Sequence, residues 1–276
     1  MICRHFLSTR SLLVPLTCSR KLSSYSEVEG VGHVVLDNVK TRNSLSLEMM
    51  DSIQRNILDN QDNPTVRCIV LSAQGNVFSA GHNLKELTSD KGYESHKFVF
   101  DKCSQLINVI LKAPVPIIAK VDGLAAAAGC QLIASCDMAV CSERSSFSTP
   151  GASFGIFCST PGIAVARAIP RMKAAYMLFT GLPIGAQEAL ETGLVSKVVA
   201  QDQLDHEIET ICSAIKSKSR AVISLGKQFF YEQLAMDINA AYSKGAKIMA
   251  DNLAIHDGQE GIRSFVEKRK PLWRHQ

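Results

Sequence analysis

Two segments of this chain carry residue types suited to chemistry on a carbonyl group. The first, Val77-Phe78-Ser79-Ala80-Gly81-His82-Asn83-Leu84-Lys85-Glu86, joins a β-like run to a helical one. The second, Asp122-Gly123-Leu124-Ala125-Ala126-Ala127-Ala128-Gly129-Cys130-Gln131, repeats the arrangement. Small residues let a ligand approach the backbone, and peptide N–H groups at a helix entry lack carbonyl partners. Two such groups aimed at one point would stabilise an oxyanion, with a modest helix-dipole contribution. Taken singly, each segment reads first as tight packing at a strand-to-helix turn.

A third stretch, Phe157-Cys158-Ser159-Thr160-Pro161, offers a thiol and two hydroxyls. A Cys158 thiolate would serve as base or nucleophile if a neighbour lowered its pKa, yet no Lys, Arg or His adjoins it in sequence. Packing as a small apolar residue is the competing reading. Ser159 and Thr160 would supply pocket hydrogen bonds or cap the next helix.

The elements that must position these segments alternate in type. His33 to Leu36 reads as a strand, and Leu47, Met50, Ile53, Ile57 and Leu58 recur at helical spacing. Cys68 to Leu71 is a second buried strand, with Ser72 to Asn83 a glycine-containing loop. The amphipathic helix beyond it places Phe98, Cys103, Leu106, Ile107 and Ile110 on one face, until Pro114 and Pro116 stop it. Ile117 to Val121 and Met138 to Cys141 read as further strands, and from Pro161 onward the pattern is almost wholly helical. Strands alternating with helices, then helices alone, predict an α/β core over 27–200 with a helical extension of the same domain over 201–276.

The order and spacing of the two loops resemble the crotonase superfamily, which includes the enoyl-CoA hydratases and isomerases. Lys40-Thr41-Arg42-Asn43-Ser44-Leu45, Ala186-Gln187-Glu188-Ala189 with Gly193-Leu194-Val195, and Gly258 to Pro271 extend the resemblance. It implies a spiral of ββα turns with C-terminal helices that mediate trimers, often paired into hexamers. It also implies an oxyanion hole built from the backbone N–H groups of His82 and Ala128. Ala80, His82, Asn83, Leu84 and Lys85 would line an acyl-CoA channel. Lys40 or Arg42 would lie near the nucleotide phosphates, and Phe265 and Lys268 would close on CoA, sometimes from a neighbouring subunit.

The family's hydratases use two glutamates as a general acid–base pair, and this chain departs from that pattern at both positions. Gln131 stands at the first and Gly151 at the second. Gln131 would hold a water without taking its proton, and Gly151 offers no side chain. Such groups contribute about 10² to 10⁴ in rate. The expected function is acyl-CoA thioester binding in mitochondrial fatty-acid and lipid metabolism, with hydratase- or isomerase-like chemistry altered from the usual route. The alternative is a non-catalytic acyl-CoA binder or regulator. Coenzyme A would enter as part of the substrate or ligand, with no separate cofactor and no metal.

Charge and composition narrow the rest. Residues 1–26 hold Arg4, Arg10, Arg20 and Lys21, are rich in Ser, and contain no acidic residue, which reads as a mitochondrial transit peptide directing the chain to the matrix. The net charge of +4 comes from 30 Lys and Arg against 26 Asp and Glu, so without the leader the body is balanced at 26 each. No nucleic-acid footprint is expected from that balance. Apolar runs such as Val115 to Val121 are too short and interrupted for a membrane span. The nine cysteines include no Cys-x-x-Cys pair, so reduced, packed thiols are expected.

Overall fold

The computed structural model describes residues 22–275. β1 (Ser23–Val28) and β2 (Val31–Leu36) form a hairpin, followed by α1 (Leu47–Leu58). Two strands and a helix then recur: β3 (Cys68–Ala73), β4 (Val77–Ser79) and α2 (Tyr93–Lys112), then β5 (Ile117–Val121), β6 (Leu124–Ala126) and α3 (Ala128–Ala134). A third round comprises β7 (Met138–Ser142), β8 (Ser146–Ser148) and α4 (Ser159–Ala168). Next come α5 (Arg171–Thr180), β9 (Ile184–Gly185), α6 (Ala186–Thr192) and β10 (Lys197–Val199). The chain closes with α7 (Leu204–Lys216), α8 (Arg220–Gln233), α9 (Ile238–Ala254) and α10 (His256–Val266).

In each round the first strand enters a six-stranded sheet of order β1-β2-β3-β5-β7-β10, and the second enters a four-stranded sheet, β4-β6-β8-β9. Pairing is parallel except between β1 and β2 and between β8 and β9. This is the ββα spiral that the resemblance implies, with the expected helices at its end.

Side-chain alternation explains why the large sheet is covered on both faces. On β3, Ile69 and Leu71 face the main core with α1 and α2, whereas Cys68 and Val70 face Leu204, Ile208 and Cys212 of α7. Thus α7, although beyond residue 200, packs directly on the sheet. Lys227 of α8 is tied in as firmly: its buried Nζ donates to Asp137 at 2.7 Å and to the carbonyls of Ile110 and Val115.

Some expectations need correction. Phe98 is 57% exposed, and Val99 takes its place on the buried face of α2 with Cys103, Leu106 and Ile110. The expected loop from Ser72 to Asn83 contains the short strand β4. Most of the expected leader lies outside the described residues, but Ser23 to Ser26 belong to β1, so that strand starts before the boundary placed at residue 26.

Candidate functional site

The loop after β4 is held by a frame of backbone bonds. Ser79 Oγ donates to the Asn43 carbonyl at 2.8 Å and accepts from the Gly81 N–H at 3.2 Å. The Ala80 N–H donates to the Arg42 carbonyl, and the Gly81 carbonyl accepts from Leu45 N–H at 2.8 Å. Asn43 locks this frame in place. Its buried amide donates to the carbonyls of Gln74 and Val77 and accepts from the Asn38 N–H. The next amide in line, the His82 N–H, has no acceptor among the described residues.

The second loop meets the first at Gly81. With φ +90°, Gly81 approaches so closely that a Cβ there would lie 2.9 Å from the Ala127 Cβ and 3.3 Å from the Ala128 nitrogen. Ala127 adopts φ 49° and ψ −117°, a conformation that costs a non-glycine residue about 1–3 kcal/mol. Its N–H donates to the Ser148 carbonyl at 2.9 Å, which holds the turn. The turn makes Ala128 the first residue of α3, where an N–H has no carbonyl four residues earlier to receive it. His82 and Ala128 line the same cavity, of about 820 Å³. Two free donors on touching backbone segments are suited to one oxygen that gains negative charge.

Lys40, Ala80, Asn83, Leu84 and Lys85 line this cavity too, and the exposed Lys40 and Lys85 bring positive charge to it. Arg42 is exposed and does not line it; φ there is +55°. Asn83 Oδ1 accepts from the Lys85 N–H at 3.2 Å, which shapes the loop. Phe100, Phe154, Ile156 and Phe157 build an apolar wall. The spacing of Phe100 from Cys103 and Ile107 marks the same helix face.

The His82 ring stands edge-on to Phe100, 5.3 Å between centroids, with Nδ1 3.4 Å from the Leu45 carbonyl. Burial pushes its pKa down despite that carbonyl, so the imidazole is neutral at pH 7. Its Nε2 is buried and has no hydrogen-bond partner.

A sequence profile described as enoyl-CoA hydratase/isomerase matches residues 26–276. The chain belongs to this family. It is 54% identical over 254 residues to the human protein named enoyl-CoA hydratase domain-containing protein 3, mitochondrial, covering 92% of this chain and 84% of that one. The crystal structure of the human protein of that name superposes with a TM-score of 0.90 at 53% identity, over 91% of this chain and all of that one. An enoyl-CoA hydratase structure from Mycobacterium smegmatis gives 0.89 at 39% identity, over 91% and 98% of the two chains.

In this enoyl-CoA hydratase/isomerase family member, Gln131 and Gly151 have different surroundings. Gln131 is only 4% exposed, and its Oε1 accepts from the Cys103 thiol at 3.8 Å. It is not among the residues that line the cavity, so the water-holding role expected of it has no support in this packing. Gly151 lines the cavity, but a Cβ there would lie 2.2 Å from the Ile156 carbonyl oxygen and 2.6 Å from Cys158 Sγ. The chain from Pro150 to Cys158 thus closes over the space a side chain at 151 would need.

Cys158, 6% exposed, lines the cavity and accepts from the Gly151 N–H at 3.3 Å. Burial pushes its pKa up more than that hydrogen bond lowers it, which keeps the group a thiol. Ser159 also lines the cavity, but as the first residue of α4; its Oγ caps nothing and donates weakly to the Phe157 carbonyl. Phe265 and Lys268 lie on α10 and just beyond it, away from the cavity lining, with Phe265 85% exposed. Among the described residues no Asp or Glu lines the cavity. Among the described residues no helix is long and apolar enough to cross a membrane, and no group of three His, Cys, Asp or Glu is placed to hold a metal ion.

Proposed function

We propose that the protein binds acyl-CoA thioesters in this cavity and stabilises enolate-type charge on the thioester oxygen through the His82 and Ala128 N–H groups. The observation that carries the reading is the contact between Gly81 and the start of α3, which brings those two donors to one cavity. The apolar wall suits an acyl chain, and Lys40 and Lys85 suit the phosphates of coenzyme A. Any hydratase- or isomerase-like turnover would proceed without the usual pair of carboxylates.

A second reading is favoured by a specific observation. With Gln131 turned into the core and Gly151 sealed, binding without turnover is consistent with an acyl-CoA sensor or regulator in lipid metabolism. Import into the mitochondrial matrix fits the basic, acid-free residues 1–26. Assembly as a homotrimer or hexamer fits the exposed apolar side chains of Ile238, Tyr242 and Met249 on α9, and sedimentation would measure it.

The deciding experiment measures turnover of crotonyl-CoA and of a longer 2-enoyl-CoA, with binding of each on the same sample. Ala128→Pro removes one of the two donors; it should abolish turnover or, if wild type only binds, weaken binding. Unchanged behaviour in a variant with a wild-type thermal melt would defeat the role given to that amide.

A further inference from the structure

Resting on the acyl-CoA reading, we infer that the ligand is a long-chain acyl thioester, whose chain leaves the cavity past Phe157 and lies along an exposed face of α5. The lining is divided by charge, which is the first ground. Its cations, Lys40 and Lys85, come from the segments 40–44 and 80–87, whereas the segment 150–161 adds no charged side chain to it. A ligand with an anionic head, a carbonyl held by the two donors and an apolar end matches that division.

The second ground is that the apolar wall does not stop at the cavity. Phe154, Ile156 and Phe157 line it and are nonetheless exposed, Phe157 by 47%. The Phe157 ring meets that of Phe179 on α5, 5.9 Å between centroids, and Phe179 is 71% exposed. The backbone fixes this contact. Gly181, just past the end of α5, sits so close to Pro150 that a Cβ there would lie 3.1 Å from the Pro150 Cα. From Phe179 the exposed side chains of Tyr176 and Met172 continue back along α5 at spacings of three and four residues, which puts them on one face. The run from 179 to 172 is about 10 Å at the rise of an α-helix.

An exposed apolar strip of this kind marks a binding surface. Its continuity with the cavity, through Phe157 and Phe179, selects the occupant: the far end of the molecule held in the cavity. The exposed apolar side chains of α9 differ in this respect, because they border a separate groove against α8. A short acyl chain ends inside the cavity and leaves the strip bare. Each further methylene laid on the strip removes apolar surface from water on both partners.

The test is equilibrium binding of butyryl-, octanoyl-, dodecanoyl- and palmitoyl-CoA to the full chain, below the concentrations at which they form micelles, with sedimentation of the same samples. Wild-type affinity should keep rising beyond octanoyl-CoA, by about twofold per added methylene. Phe179→Ser and Met172→Ser replace exposed side chains outside the cavity lining, and thermal melts confirm that each variant is folded. Phe179→Ser should weaken palmitoyl-CoA binding about tenfold and Met172→Ser by less, with the Kd of butyryl-CoA as in wild type. An affinity that levels off at octanoyl-CoA, or a rise that survives both substitutions, overturns the long-chain assignment and leaves the acyl-CoA reading standing. Such a rise together with loss of assembly in the variants would assign the strip to a second copy of the chain instead. Failure of all four thioesters to bind overturns the acyl-CoA reading as well.

Discussion

Gly81 packs so tightly on Ala127 that only 2.9 Å would separate a Cβ at 81 from the Ala127 side chain. The two donor-bearing loops therefore meet through a missing side chain. Gly81→Ala adds that methyl at φ +90°, where L residues are strained, and so both destabilises the fold and spreads the donors. The expected loss is about 1–3 kcal/mol in urea unfolding, with a weaker acyl-CoA affinity.

Gly151→Glu supplies the carboxylate that the resemblance leads one to expect at this position, but not the room for it. The first side-chain atom already overlaps the Ile156 carbonyl oxygen. Hydration of crotonyl-CoA should therefore not rise, and stability should fall by about 1–3 kcal/mol from overpacking. A hydration assay alongside thermal melts checks both. A gain in hydratase rate with normal stability would show that the 150–158 segment moves aside.

The anchor of α8 is a buried ion pair. Asp137 accepts from Lys227 Nζ, from Tyr231 and from the Ile117 N–H. Asp137→Ala leaves the ammonium unpaired and should cost about 3–5 kcal/mol, whereas Asp137→Ala combined with Lys227→Met should recover much of that loss. Denaturant midpoints of the three proteins measure the coupling.

The C-terminal tail has an acid-sensitive clasp. Burial pushes the Asp257 pKa up, but Ser219, the Arg274 and His275 N–H groups and His256 hold it well below the ordinary carboxylate range. A depressed folded pKa stabilises the protein above the unfolded value and loses that contribution as pH falls through the folded one. Asp257→Asn should thus melt lower than wild type at pH 7, and the gap should narrow below pH of about 4. A gap independent of pH would rule out the charge as its source.

Legibility followed burial. β3, β5 and β7 read correctly because both of their faces are covered, which leaves unbroken apolar runs. β1 escaped because it pairs only at the sheet edge, and its Ser-Ser-Tyr-Ser-Glu-Val composition blends into the basic leader. Helical spacing places Phe98 inside, but Val99 points inward and Phe98 outward, a one-residue rotation that periodicity does not resolve. The two loops were legible because glycine and alanine mark backbone that must come close. The surroundings of Gln131 and Gly151 were not: the contact of Gln131 with Cys103 and of Gly151 with Cys158 joins residues on different elements or loop ends, which no local pattern records.

The most direct measurement is the infrared C=O stretch of a carbonyl-¹³C acyl-CoA bound to the protein. On the proposed function, hydrogen bonds from His82 and Ala128 would polarise the thioester, so the band should move to lower frequency on binding and move less in Ala128→Pro. A bound thioester whose carbonyl band stays where it is in water would contradict the oxyanion hole.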